Sequence, residues 1–216
     1  MSTSFWKSGH TPTLFSAFLY FDISFMVWYL LGPLAVQIAT DLDLSAQERG
    51  IMVATPILAG ALLRLLLGFM ADRLSPKTAG IIGQTVVIVT LLAAWQLGVS
   101  SYEHTLMLGL GLGFAGASFA VALPLASQWY PPEHQGTALG IAGAGNSGTV
   151  LAALFAPGLA YLFGWQNVFG LALIPLSITL LVFLLLARNA PDRPPPAALA
   201  DYARALRNTD SAWFMF

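Results

Sequence analysis

The stretch from Ile51 to Met70, IMVATPILAGALLRLLLGFM, is apolar or small at every position except Arg64. Such a run of about 20 residues rises about 30 Å as a helix, the thickness of a bilayer's hydrocarbon layer, and reads as a membrane-spanning helix. A guanidinium inside it costs at least about 2.5 kcal/mol on insertion scales, so its default reading is a functional group facing the bundle interior. Pro56, Gly60, Arg64 and Gly68 recur every four residues and share one helix face. Apart from the arginine that face is small, the kind by which membrane helices approach each other or border a cavity. A buried anion site is one reading of Arg64. Snorkelling is the other, since Met70 lies only about 9 Å further along the axis.

The rest of the chain has the same character. Hydrophobic residues make up 57% of it and charged residues 9%, where a soluble globular chain carries about 25% charged. With no cysteine, disulfides, thiolate metal sites and cysteine nucleophiles are excluded. The first apolar run is too long for a cleavable signal and lacks a small-residue cleavage site, so the first helix serves as its own insertion signal.

Six helices are expected: Pro12 to Ile38, kinked at Pro33; a second opened by a capping box at Ser45 and Glu48 and ending at MADRLSPK; Ala79 to Gly98; Thr105 to Ser127; Thr137 to Phe163; and Trp165 to Ala187. Trp129, Tyr130 and the pair Pro131 and Pro132 close the fourth helix at headgroup level. The organisation is thus a tail over 1–11, a six-helix bundle over 12–187, and a proline-rich basic linker with a short amphipathic piece over 188–216. With the N-terminus in the cytoplasm, Lys7, Arg73, Lys77, Arg188, Arg193, Arg204 and Arg207 lie inside and only Arg49 outside. That asymmetry places both termini in the cytoplasm, in a cell membrane of bacterial inner-membrane type. His10, His104 and His134 fall in tails or loops and form neither a metal site nor a proton relay. Neither a cofactor nor a nucleic-acid partner is implied.

Two motifs and one acid stand out. The link Gly68-Phe-Met-Ala-Asp72-Arg73-Leu-Ser-Pro-Lys77 reads by itself as a solvated positive-inside turn, in which the Asp72 carboxylate is suited to capping a helix N-terminus. In the fifth helix, Gly140-Ile-Ala-Gly143-Ala-Gly145-Asn146-Ser-Gly148 places four glycines around an amide. Each glycine costs about 1 kcal/mol of helix propensity in water, so the string is either a tight helix interface or a place where Asn146 meets a polyoxyanion. Asp22, the other charge within a span, is either a proton carrier or a structural partner to a basic group or backbone. The spans hold no carboxylate pair, metal cluster or activated nucleophile of an enzyme.

The link at Gly68, Asp72 and Arg73 resembles the cytoplasmic loop motif of the major facilitator superfamily, departing from it at Ser75 and Pro76. The glycine string resembles the signature of the nitrate/nitrite porter family within that superfamily. AGALLR ending at Arg64, GFAGASFA from Gly113 to Ala120, and PPEHQGTALGIAG before Asn146 are similar to that family too, in the same order along nearly the whole chain. The resemblance implies an all-α fold of two inverted three-helix repeats, forming the N-terminal half of a twelve-helix transporter. It implies that Arg64 holds nitrate or nitrite, that Phe119 lies beside the anion, and that Asn146 and Gly140, Gly143, Gly145 and Gly148 form the signature. Gly68, Asp72 and Arg73 would be the conformational latch and Asp22 a possible proton coupler. The implied partners are nitrate or nitrite, the lipid bilayer and a second six-helix half. Half of another small-anion porter, or a membrane assembly partner that does not transport, are the competing readings.

Overall fold

A computed structural model of the chain describes residues 4–192, 195–197 and 204. Six helical segments in it are long and apolar enough to cross a membrane: Thr11–Asp41, Ala46–Arg73, Pro76–Leu97, Tyr102–Ser127, Pro132–Phe163 and Trp165–Leu186. Among the described residues there is no strand. The third, fourth and fifth spans begin several residues earlier than the apolar runs do, because polar and proline caps extend them. The Ser75 hydroxyl accepts from the Thr78 N–H with Pro76 in the first turn, Ser101 caps through His104 N–H, and Pro131 precedes Pro132. The second span carries the expected capping box: Glu48 N–H donates to Ser45 Oγ at 3.2 Å, and Ser45 N–H to Glu48 Oε2 at 2.9 Å. The expected amphipathic piece over 201–216 lies outside the described residues, apart from Arg204.

Three spans are interrupted. The first is α1 (Thr11–Trp28) followed by α2 (Leu31–Asp41). Pro33 has no N–H to offer the Tyr29 carbonyl, which accepts from Gly32 N–H instead, and the kink follows. The second and third spans are single helices, α3 (Ala46–Arg73) and α4 (Pro76–Leu97). The fourth is α5 (Tyr102–Gly116) and α6 (Phe119–Ser127), broken at Ala117 and Ser118. The fifth is α7 (Pro132–Gly143), a 3₁₀ turn over Ala144–Ser147, and α8 (Gly148–Phe163). The sixth is α9 (Trp165–Leu186).

The packing repeats under exchange of spans one, two and three with four, five and six. The second span packs on the fourth as the fifth does on the first, the third packs on the fourth as the sixth does on the first, and the third and sixth meet each other. Three crossings per repeat put equivalent ends on opposite sides of the membrane, so the two repeats are inverted. The first and fourth spans are the most buried. α1 buries Tyr20, Phe21, Phe25 and Val27 among others, so the core forms around it.

The ends of the sixth span are tied to the others by polar side chains. On the side of the termini, Lys77 Nζ donates to the Leu184 carbonyl at 2.8 Å and Trp129 Nε1 to that of Arg188 at 2.8 Å. On the opposite side, Trp165 Nε1 donates to Asp41 Oδ2 at 2.6 Å. The first of these bonds satisfies a carbonyl that a helix C-terminus otherwise leaves to solvent, and the second holds the chain just beyond the helix end.

Candidate functional site

Arg64 reaches sideways from α3 to the break in the fourth span. α3 and α5 are the most extensively packed pair of helices, and small residues make that possible. A Cβ on Gly113 would come within 2.9 Å of the Ala59 carbonyl carbon and 3.0 Å of Gly60 N, so only glycine fits there. In an unbroken helix the Ala120 N–H would bond the Gly116 carbonyl. Here it bonds Ala117 O at 3.0 Å, and Ser118 N–H turns to Ala115 O at 3.2 Å. The Gly116 oxygen is left to Arg64, whose Nη2 donates to it at 3.5 Å. The residue that restarts the helix is Phe119, and the guanidinium carbon of Arg64 sits 5.1 Å from its ring centroid. One irregularity thus supplies both neighbours of the charge, a backbone carbonyl and an aromatic face. Ser118, within the break, is fully buried and its hydroxyl has no partner among the described residues.

Arg64 and Phe119, expected together, are therefore brought together. Phe119 remains 37% exposed in this six-helix bundle, and Arg64 is exposed beside it. The guanidinium has used one of its five N–H groups on Gly116, and an edge remains for a two-oxygen acceptor.

Asn146 is exposed in the 3₁₀ turn of the fifth span, and none of the described contacts joins it to Arg64 or Phe119. The four signature glycines divide into two faces. Gly145 and Gly148 seat the fifth span on the backbone of α1: a Cβ on Gly145 would lie 2.9 Å from Asp22 N, and one on Gly148 would collide with the Asp22 carbonyl. Gly140 and Gly143 have nothing within 4 Å of where a Cβ would be. So half of the string is a tight helix interface and half is open.

Asp22 lies at that interface. It is 7% exposed, and Ser147 Oγ donates to its Oδ1 at 2.7 Å. Its described partner is thus a hydroxyl from the signature turn, neither of the partner types expected from sequence. In the loop after α3, Asp72 Oδ2 accepts from Ala197 N–H at 2.9 Å, and Arg73 Nη2 donates to the Ala197 carbonyl at 3.4 Å. Two adjacent charged side chains grip both peptide groups of one linker residue, while the Arg73 guanidinium covers the Phe69 ring at 5.3 Å. Gly68 borders the second and fourth spans, 3.8 Å from Ala120 as a Cβ would sit.

Sequence reasoning missed His10 and Trp28. His10 caps α1: its Nδ1 accepts from Thr13 N–H at 3.3 Å and lies 2.7 Å from Thr13 Oγ1, with the Trp129 ring 4.8 Å away. Histidine is an unusual cap, and the Pro12 that follows was the only sequence signal for a helix start there. Trp28 donates from Nε1 to the Pro56 carbonyl at 2.8 Å, and nothing in its sequence context set it apart from other aromatic residues in the span.

Comparison with known proteins agrees with this architecture. The sequence profile of the Major Facilitator Superfamily matches residues 17–216. The chain is 36% identical over 179 residues to the probable nitrate/nitrite transporter NarK2 of Mycobacterium tuberculosis, an alignment covering 81% of this chain and 45% of that one. It is 28% identical over 191 residues to the nitrite extrusion protein of Bacillus subtilis, covering 88% and 48%. Among solved structures it resembles a bacterial homolog to the human lysosomal transporter Spinster in an inward-facing and occupied conformation, with a TM-score of 0.73 at 20% identity over 91% of this chain and 48% of that one. It also resembles the proton:xylose symporter XylE, with a TM-score of 0.65 at 14% identity, covering 84% and 46%. At those identities the structures speak for the fold alone. The chain spans about half the length of the curated relatives it matches. A profile match over most of the sequence, on a six-span bundle of two inverted repeats, makes this chain a member of the Major Facilitator Superfamily.

Proposed function

We propose that this chain is the N-terminal half of a transporter that moves nitrate, nitrite or both by alternating access, working with a second six-helix half. The observation that carries the reading is the Arg64 guanidinium resting on the Phe119 ring at the break of the fourth span. Nitrate is flat, singly charged and weakly hydrated, which suits a planar fork of donors beside an aromatic wall. The names of the relatives, a nitrate/nitrite transporter and a nitrite extrusion protein, point to the same substrates. In this reading Arg64 supplies the countercharge, Phe119 the wall, and Asn146 an amide on the same cavity. Gly145 and Gly148 let the fifth span lie against α1. Asp22, buried against the signature turn, is the candidate proton carrier, and Gly68, Asp72 and Arg73 form the latch. The protein acts as a transporter and not an enzyme, in a bacterial-type inner membrane with both termini in the cytoplasm.

The test is a nitrate titration of the two-half protein. In a cavity shielded from water the attraction between guanidinium and anion far exceeds the roughly 1 kcal/mol of a 4 Å pair in bulk water. Arg64→Ala is expected to abolish binding. Arg64→Lys keeps the charge, loses the planar fork and is expected to bind at least about tenfold more weakly, a loss of about 1.4 kcal/mol. Phe119→Ala and Asn146→Ala should cost less, because they remove orientation and leave the countercharge. Near wild-type affinity in Arg64→Ala would return the arginine to a snorkelling role and overturn the site.

A further inference from the structure

The residues proposed to meet the anion lie on three spans, and the first span touches all three of those spans. Phe21, Phe25 and Trp28 follow each other on α1 at intervals of four and three residues, so they form one ridge. Their rings pack in sequence, Phe21 on Phe25 at 4.2 Å and Phe25 on Trp28 at 4.8 Å between centroids. At one end of the ridge, Phe21 meets the Phe119 ring edge-on at 5.7 Å and lies against Gly145, where a Cβ would be 2.8 Å from its Cδ1. At the other end, Trp28 bonds the Pro56 carbonyl of α3 at 2.8 Å. Its indole occupies the space over two glycines: a Cβ on Gly60 would sit 3.2 Å from Nε1, and one on Gly116 would sit 2.6 Å from Cε2.

Those two glycines are neighbours of the charge. Gly60 precedes Arg64 by one turn on the same face of α3, and the Gly116 carbonyl is the one that accepts from Arg64. Trp28 is thus wedged between the helix that carries the arginine and the break that carries its partners. An indole has only two rotatable bonds, so one packed onto two glycines, as the partly buried Trp28 is, holds its neighbours at little entropic cost. A long arginine side chain that must present a planar fork is sensitive to where its helix sits.

We propose that Trp28 is a positioning residue for the Arg64–Phe119 pair, setting the second span against the break of the fourth. The ridge through Phe25 to Phe21 fixes the same first span against Phe119 and the turn that carries Asn146. This rests on the reading that Arg64 and Phe119 receive the anion.

The experiment is a double-mutant cycle on nitrate affinity in the two-half protein, with thermal unfolding measured alongside. Trp28→Phe keeps an aromatic ring and removes the N–H donor. It is expected to weaken nitrate binding several-fold, because the helix that carries Arg64 is no longer held in place, while lowering the unfolding midpoint by no more than the loss of one neutral hydrogen bond does. Combined with Arg64→Lys it should add nothing, because misplacing the helix only matters while the guanidinium fork is present. Gly60→Ala, which presses on the indole with Trp28 still in place, should give the same non-additive loss and serves if Trp28→Phe does not assemble. Wild-type affinity in Trp28→Phe, losses that add to those of Arg64→Lys, or failure of both variants to assemble would each overturn the positioning role. Retention of binding in Arg64→Ala would instead overturn the site itself, so the two failures are told apart.

Discussion

Two residues in the first span and its cap carry titratable chemistry that the anion site does not use. Asp22 is buried in the membrane and accepts from Ser147, a hydroxyl that can serve a carboxylate or, by rotating, a carboxylic acid. The proposed proton coupling through Asp22 is tested by removing its charge. Asp22→Asn in the two-half protein should abolish acid-driven anion uptake while anion-for-anion exchange continues; unchanged pH dependence of uptake would leave Asp22 only a structural role. His10 works through its neutral form. Burial of the ring, and then the Arg188 charge, hold its pKa below the ordinary 6.5. A histidine with a lowered folded pKa stabilises the fold above its unfolded value, and that contribution is lost as pH falls through the folded value. Hydrogen exchange at the Thr13 amide should therefore accelerate as pH drops below about 6.5, once corrected for the intrinsic rate. His10→Asn, a cap that does not titrate, should remove that extra acceleration. An unchanged profile in His10→Asn would mean that the cap is not the titrating element.

At the scale of the element, the fifth span shows how far the sequence could be read. Its glycines announced either a tight interface or an open binding surface, and the string is both, divided by helix phase. Gly148 faces the rigid backbone of α1, where an added methyl has no side chain to push aside, so Gly148→Ala must separate two helices. Overpacking of this kind costs about 1–3 kcal/mol or more. Gly140→Ala meets open space in this half and gains about 1 kcal/mol of helix propensity. Unfolding of the chain in detergent, followed by tryptophan fluorescence, should place Gly148→Ala well below wild type and Gly140→Ala at or above it. Equal destabilisation by both would refute the division. The spans themselves were legible because an uninterrupted apolar run of about 20 residues suits little besides a membrane crossing. Their ends were not, since polar caps such as Ser75 and Ser101 lengthen a helix beyond its apolar run. Nor was the break at Ser118: Pro124, the residue that would advertise an interruption, lies further on, and what meets the break, Arg64 and Trp28, comes from other spans. Phe119 became a site residue only by resemblance, because an aromatic in an apolar helix carries no signal of its own.

The whole molecule is half of a larger arrangement if the proposed function holds, and its surfaces bear on that. Phe119, Asn146 and Arg64 all remain exposed, while Gly140 and Gly143 meet no neighbour. A single guanidinium on an open face competes for its anion with water on every other side, where the high dielectric leaves about 1 kcal/mol for a 4 Å contact. Enclosure by a second half would exclude that water. Orientation enters the same argument, because the two halves must share a membrane side. The proposed orientation, with the basic residues inside, puts the link at Ser75 inside and that at Ser101 outside, on opposite ends of the third span. The chain has no cysteine, so single cysteines report cleanly: Ser101→Cys should react with an impermeant thiol reagent added to intact cells, and Leu74→Cys, beside the buried Ser75 and itself 54% exposed, only after permeabilisation. The reverse pattern would invert the topology and the latch with it. With the orientation so established, nitrate titrated into this chain alone should bind weakly or not at all, and titrated into the two-half protein should bind with an affinity that depends on Arg64. Equal affinity in the two would show that six helices suffice to hold the anion, and that the open face around Arg64 is a complete site.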